Sequence, residues 1–129
     1  MAMTPDRSID FVARFLASDD SAVAQYAALA IGGSRIPRAC DLLRECWDDH
    51  PSPAARRRLL LPIALVRSTE AFGFLLDVLR RADRTTAAET VAALRIYTSQ
   101  ENIRQIGEIV RDRDDPDILK AFDAEIGPP

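Results

Sequence analysis

Side chains that bind metals or act as nucleophiles are scarce in this sequence. It has one histidine, His50, and two cysteines, Cys40 and Cys46, among 129 residues. The cysteines lie six positions apart, which matches neither a CxxC pair nor a zinc-site spacing, and no second histidine accompanies His50 in DDHPSP. We therefore expect reduced, half-buried thiols. For His50, a solvated loop residue is favoured over a metal ligand, and no metal site is predicted.

Catalytic and cofactor motifs are missing as well. The sequence contains no GxSxG, no phosphate-binding glycine loop and no HExxH. The adjacent pair Gly32-Gly33 is interpreted as a break between two helices. These absences predict a non-enzymatic protein with no catalytic residues and no cofactor.

Long apolar runs and a charge of one sign are also absent. No run of eighteen apolar residues occurs, and the opening MAMTPDRSID lacks the basic and then apolar order of a signal peptide. The expected location is therefore cytoplasmic, with no membrane partner. Seventeen basic and twenty acidic residues give a net charge of −3, which argues against nucleic acid as a partner.

Helical periodicity is the main pattern that the sequence does have. Apolar residues make up 47% of the chain, enough for one domain with a hydrophobic core. They recur with a period near 3.6, as Ile9, Val12 and Leu16 do, and seven of the eight prolines fall where such a pattern begins or ends. No segment alternates with period two. The sequence therefore predicts a single all-α domain over 1–129.

The helices are predicted to form three repeated hairpins. STEAFGFLLDVLRR and SQENIRQIGEIVRD carry serine, acidic and apolar residues in the same slots, 31 positions apart. We expect side chains in shared slots to face inward, where they bury surface between neighbouring hairpins. The proposed slots are Leu42, Leu75 and Ile106; Ala39, Phe72 and Ile103; Cys46, Leu79 and Val110; Tyr26, Leu60 and Val91; Leu29, Ile63 and Leu94; and Ile31, Leu65 and Ile96.

Two further helices are predicted to close the ends of the array. The repeats cover 22–53, 54–85 and 86–115, and the capping helices cover 4–18, with Thr4 as the N-cap, and 116–126. At the first end Ile9, Val12 and Leu16 are expected to face inward, with Arg7, Asp10 and Arg14 in water. At the second end Ile118, Leu119, Phe122 and Ile126 take the inward role, beside Lys120, Asp123 and Glu125. The alternative is a fragment of a longer array.

One stretch carries a family resemblance. FLASDDSAVAQYAALAIGGS combines a helix end, an acidic turn, an alanine-rich helix and a glycine break, and it resembles the HEAT-like repeats named after phycobilisome lyases. The resemblance covers about Ile9 to Ile126 and implies a right-handed α-α superhelix, a HEAT-like solenoid. Repeats two and three have VRST and YTSQ in place of the Gly-Gly break. The marker residues of tetratricopeptide and ankyrin repeats are missing. Pro62 fits the resemblance, because a proline within a helix frees the carbonyl of Arg58 and bends the outer helix.

A binding surface is predicted on the second helix of each hairpin, opposite its apolar side. This candidate concave row contains seven acids and two arginines. Phe74 is its apolar member and is interpreted as an interface anchor, with burial against an adjacent helix as the alternative. The predicted protein-binding residues are Asp41, Arg44, Phe74, Asp77, Arg81, Gln105, Glu108 and Asp112.

The predicted function is a protein-binding scaffold or adaptor. Its expected partner is a basic or amphipathic segment of another protein, because the row is acidic around an aromatic residue. A small subunit of a bilin-lyase-like enzyme, or a tetrapyrrole chaperone, is the first alternative. The second alternative is nucleic-acid binding through Arg56 to Arg58 on the convex side. The competing interpretation of these arginines is that nearby acids neutralise them.

Overall fold

The protein is all-α in the computed structural model, which describes residues 5–50 and 52–127. Within these ranges it contains nine α-helices, one 3-10 helix and no strand. The α-helices are α1 (Pro5–Ala13), α2 (Ser21–Gly32), α3 (Ala39–Asp49), α4 (Pro53–Arg57), α5 (Leu60–Val66), α6 (Thr69–Arg81), α7 (Arg84–Leu94), α8 (Gln100–Arg113) and α9 (Pro116–Glu125), and the 3-10 helix is Arg14–Ala17. This confirms the all-α prediction, although the predicted cap Thr4 lies outside the described residues.

The helices form two compact units, one ending at Ser68 and the other beginning at Thr69. In the first unit, α1 and the 3-10 helix pack on α2, and α2, α3 and α5 pack on one another. Asp20 caps α2, since its carboxylate accepts hydrogen bonds from the backbone N–H groups of Ala22 and Val23. The largest fully buried side chains of this unit are Ile31, Leu43, Leu60 and Ile63.

The outer helix of the second predicted repeat, expected to bend at Pro62, is broken into two helices just before it. The helix is divided into α4 and α5 by a turn at Arg58 and Leu59. Because proline has no N–H, the carbonyl of Arg58 loses its helical partner. The Nε2 of Gln25, on α2, donates to this carbonyl at 3.1 Å. The break is therefore compensated by a side chain from another helix.

Gly32 ends α2, but for a different reason from the one expected. A Cβ built on Gly32 would lie 2.2 Å from the carbonyl oxygen of Pro62, so the backbones of α2 and α5 meet here. The next residue, Gly33, has φ −83°, a value open to any amino acid. In the described part of this unit, Arg35 (φ 61°) and Arg67 (φ 58°) have a left-handed backbone conformation. Arg67 follows α5, in the VRST turn. Gly32 is thus required for close packing rather than for a turn.

In the second unit, α6 packs on α7 and α8, and α9 packs on α7 and α8. Its largest fully buried side chains are Leu75, Leu79, Leu94, Ile106, Ile118, Val91, Val110 and Thr90. The Arg113 guanidinium donates to the carbonyls of Leu79 (2.9 Å) and Ala82 (2.7 Å), at and just beyond the end of α6. A cation at this position also complements the negative end of the helix dipole.

The burial pattern corrects the repeat alignment by one or two residues in the first repeat. Leu43 is fully buried whereas Leu42 is half-buried, and Tyr26, predicted to face inward, is 74% exposed. Buried positions coincide in both helices of each hairpin when the second repeat is offset from the first by 32 residues and the third from the second by 31. The resulting buried sets are Leu43, Leu75 and Ile106; Trp47, Leu79 and Val110; and Ile31, Ile63 and Leu94. Phe74 then corresponds to Leu42 rather than to Asp41.

The two predicted capping helices differ in how well their outer sides match the expectation. At the C-terminal end, Ile118 is buried, Leu119, Phe122 and Ile126 are half-buried, and Lys120, Asp123 and Glu125 are exposed, as predicted. At the N-terminal end Ile9 is buried and Asp10 and Arg14 are exposed, while the side chain of Arg7 lies outside the described residues. Two phenylalanines are exposed there as well, so the outer side of this helix is not purely polar.

Candidate functional site

The residues of the candidate concave row belong to both units. In the first unit, Asp41 and Arg44 are exposed on α3. In the second unit, Phe74 is half-buried on α6. Its exposure lies between that of the interface anchor and that of the buried residue, the two alternatives considered from the sequence. Asp77 and Arg81 are exposed on α6. On α8, Gln105 is half-buried, and Glu108 and Asp112 are exposed.

An arginine that the sequence analysis left out changes the charge of this surface. Arg104 forms ion pairs with Glu101 and Glu108 on the same helix, and its Nε donates to Glu101 at 2.9 Å. Hydrogen bonds, first from Arg104 and then from Gln105, lower the pKa of Glu101 to about 2. The spacing of these residues, three and four apart on one helix, could have revealed the pairs from the sequence.

The exposed surface of α6 and α8 is consequently close to neutral. Asp77 is paired with Arg80 at 3.1 Å. The exposed charged residues of the two helices are five acids and four arginines: Glu70, Asp77, Glu101, Glu108, Asp112, Arg80, Arg81, Arg104 and Arg111. The selective attraction for a basic segment predicted from the row is therefore weak in this unit.

The arginine cluster Arg56 to Arg58 lies at the end of α4, and one of its members has a structural role. The Nε of Arg56 donates to the carbonyl of Trp47 at 3.0 Å, and its guanidinium lies 5.5 Å from the centre of the Trp47 ring. Arg56 thus satisfies a carbonyl in the last turn of α3 and covers the indole, a cation–π arrangement. Trp47 itself is 9% exposed. Arg56 is therefore placed both in the last turn of α4, where a cation suits the helix dipole, and against the end of α3.

A cavity of about 200 Å³ in the first unit brings together the histidine and one cysteine. Nδ1 of His50 lies 2.7 Å from the carbonyl oxygen of Cys46 and 3.6 Å from its Sγ. His50 lies in the loop that follows α3, as expected, but it is half-buried rather than fully solvated. Burial, and then the charge of Asp49, raises the pKa of the Cys46 thiol.

The chemistry available to this cavity is limited. A thiol acts as a nucleophile or metal ligand through its thiolate, which a raised pKa disfavours. Neither cysteine forms a disulfide. Within residues 5–50 and 52–127, no group of three or more His, Cys, Asp or Glu side chains could hold a metal ion. The cavity thus holds an imidazole beside a thiol whose deprotonation is disfavoured.

Four of the five large apolar side chains found exposed among the described residues lie elsewhere, on α1, the 3-10 helix and α2. Phe11, Phe15, Val23 and Tyr26 are 48%, 42%, 36% and 74% exposed, and we call these four the N-terminal aromatic surface. The rings of Phe11 and Phe15 meet edge to face, with centroids 5.5 Å apart. Beside them is an open hollow of about 350 Å³ lined by Val12, Phe15, Val23, Tyr26 and Ala27.

The sequence analysis missed this surface, although a signal for it was present. At about 100° per residue, Phe11 falls opposite Ile9 and Leu16 on the first helix, and Phe15 falls to one side of them. Two aromatic residues on the solvent side of a surface helix are a departure from ordinary patterning. Tyr26 was assigned to an inward slot because of the alignment error described above.

No protein family, no curated protein and no solved structure matches the chain. None of the described helices combines the length and the apolar character needed to cross a membrane.

Proposed function

We propose that the chain is a non-enzymatic, HEAT-like helical-repeat module, an α-α superhelix that binds an amphipathic segment of a protein partner. The observation that carries this proposal is the N-terminal aromatic surface. Four of the five large hydrophobic residues found exposed in the described chain belong to it. Aromatic side chains are enriched at the centres of protein interfaces, where they supply much of the binding energy.

The shape of the surface favours a helical segment as the ligand. The 3-10 helix and α1 both pack on α2, so the groove between them is bordered by helices on two sides. An amphipathic helix places apolar residues at positions i, i+3, i+4 and i+7, which suits such a groove. The candidate concave row is a second surface in this proposal, but its near-neutral charge on α6 and α8 makes an amphipathic segment a better partner than a basic one.

A capture experiment with matched variants tests the proposal. Wild-type protein, Tyr26→Asp and Leu61→Asp are used as baits under the same conditions, and bound proteins are identified by mass spectrometry. Leu61 is 45% exposed on α5 and is not part of the N-terminal aromatic surface, so it controls for the loss of any exposed hydrophobic residue. We expect a reproducible partner that Tyr26→Asp loses and Leu61→Asp retains. Loss in both variants, or in neither, contradicts the proposed surface.

A further inference from the structure

Two arginines of the first unit share an unfavourable backbone conformation. Arg35 (φ 61°) and Arg67 (φ 58°) lie in the left-handed region, where glycine is the usual residue because a Cβ is crowded there. The two positions differ by the offset that aligns the first two repeats, so they are equivalent turns. We infer that Arg35 and Arg67 form a paired binding site for an acidic segment of another protein. This site shares no residue with the N-terminal aromatic surface.

The two turns lie at the same edge of the first unit, because α2 and α5 run in the same direction. Gln25, in the first half of α2, contacts the carbonyl of Arg58, which precedes α5. Gly32, the last residue of α2, contacts Pro62 within α5. Each left-handed arginine follows the end of its own helix. Since packed helices lie about 8–10 Å apart, the two guanidinium groups can bind neighbouring groups of one ligand.

Neither guanidinium contributes a polar contact to the part of the fold that the structure describes. The side chains of Arg35 and Arg67 are exposed, and within the described residues neither has a hydrogen bond or an ion pair. Arg113 is different, because its guanidinium donates to carbonyls at and just beyond the end of α6. Residues held in sparsely populated backbone conformations cluster at ligand-binding sites. A ligand for the two guanidinium groups accounts for arginine at positions that favour glycine.

The guanidinium group indicates the chemistry of the ligand. It is planar, permanently charged, and presents parallel N–H donors that match the two oxygens of a carboxylate. Arg38, in the same turn as Arg35, is already paired with Asp10 at 2.9 Å. Two guanidinium groups are few for a nucleic acid, whose affinity depends on many phosphate contacts. Alternate residues of an extended chain are about 7 Å apart, so an acidic segment with carboxylates two or three residues apart suits the pair.

Binding of hexaglutamate tests the site, because this peptide offers carboxylates at successive positions of one chain. The fluorescently labelled peptide is titrated with the full chain at low salt, about 20 mM, and its polarisation is measured. Arg35→Gly and Arg67→Gly should each weaken binding by at least about 5-fold. Arg111→Gln removes the same charge from an exposed position on α8 and should leave binding within about 2-fold of the wild type.

The same glycine variants should be more stable than the wild type. Glycine adopts the left-handed conformation without strain, so we expect the melting temperature of each variant to rise by about 2–4 °C. Asp114→Gly is the matched control, because Asp114 is also exposed and left-handed (φ 50°), at the end of α8. It should raise the melting temperature by a similar amount and leave hexaglutamate binding within about 2-fold.

Several results overturn the paired site. One is wild-type protein that does not bind hexaglutamate at concentrations up to about 1 mM. Others are unchanged binding in Arg35→Gly or Arg67→Gly, an equal loss in Arg111→Gln, and a lower melting temperature in both glycine variants. Arginine-dependent binding of a single-stranded oligonucleotide, without binding of hexaglutamate, also overturns it. The capture experiment with Tyr26→Asp tests the proposed function independently of all these outcomes.

Discussion

Gly32 and Pro62 are in backbone contact: a Cβ at residue 32 would lie 2.2 Å from the Pro62 carbonyl oxygen and 3.0 Å from its Cα. The neighbouring atoms belong to the main chain of α5, so they cannot move aside as a flexible side chain could. Pro62 also frees the carbonyl that Gln25 binds. These two contacts, of Gly32 with α5 and of Gln25 with the turn that precedes α5, hold α2 against this part of the first unit.

Alanine substitution at Gly32 should therefore destabilise the protein. We expect Gly32→Ala to lower the free energy of unfolding by about 1–3 kcal/mol, the usual cost of overpacking, even though alanine favours helix by about 1 kcal/mol. Chemical denaturation followed by circular dichroism measures the change.

The same substitution at Gly73 should have the opposite sign. Gly73 is exposed within α6, and no atom of the described chain lies within 4 Å of a Cβ built there. Gly73→Ala should raise the free energy of unfolding by about 0.5–1 kcal/mol, through helix propensity alone. Changes of equal sign at the two glycines would refute the close contact between Gly32 and Pro62.

Two adjacent leucines on α3 test the corrected repeat alignment. Leu43 is fully buried and Leu42 is half-buried. Leu43→Ala should cost about 2–5 kcal/mol, as deletions in a packed core do. Leu42→Ala should cost about 1 kcal/mol, near the average of point substitutions. If Leu42→Ala proved the more damaging in denaturation experiments, the original alignment of Leu42 with Leu75 would be correct.

The contact between Arg56 and Trp47 predicts a measurable structural role for one arginine of the cluster. Arg56→Ala should cost about 1–2 kcal/mol, since it removes a charged hydrogen bond and a cation–π contact. The emission of Trp47, the single tryptophan, should change as well. Arg58→Ala is the matched control: its side chain is exposed and its carbonyl remains for Gln25, so the change should stay within about 0.5 kcal/mol. Equal effects at both positions would argue against the role of Arg56.

The pairing on α8 predicts a pH dependence. The pKa of Glu101 is lowered to about 2, from an ordinary value of 4.5. A carboxyl whose pKa is lowered by folding contributes its stability above the ordinary value and loses it as the pH falls toward the folded value. The contribution of Glu101 is therefore lost between about pH 4.5 and pH 2. NMR titration should show the Glu101 pKa returning toward 4.5 in Arg104→Gln, while Arg80→Gln leaves it unchanged.

The helices were predictable from sequence because their signals are local. Prolines, capping residues and the 3.6-residue period all act within one or two turns, so the all-α fold followed from them. The freed carbonyl of Arg58 also followed, since proline acts on its own helix, although a bend was predicted and the helix is broken. The alignment of the first repeat did not follow, because Leu42 and Leu43 are neighbours and the apolar period alone accepts either as the inward residue.

The remaining features depend on contacts between distant residues. Gly32 is needed because Pro62, thirty positions away, approaches it, and no local pattern indicates this. Arg35 and Arg67 adopt left-handed conformations without the glycine that usually marks them, so these turns carry no sequence signal. The N-terminal aromatic surface is different, because the helical period alone places Phe11 away from the inward residues Ile9 and Leu16.

The two hydrogen bonds of Arg113 have a consequence for the order in which the chain is made. These bonds join Arg113 to Leu79 and Ala82, which lie 34 and 31 positions earlier, at and just beyond the end of α6. On the ribosome, these carbonyls are synthesised well before the arginine that binds them, and α7 and nearly all of α8 must follow first. The last turn of α6 therefore lacks this stabilising cation for most of the synthesis of the second unit, and a nascent chain halted before Arg113 leaves that helix end without it.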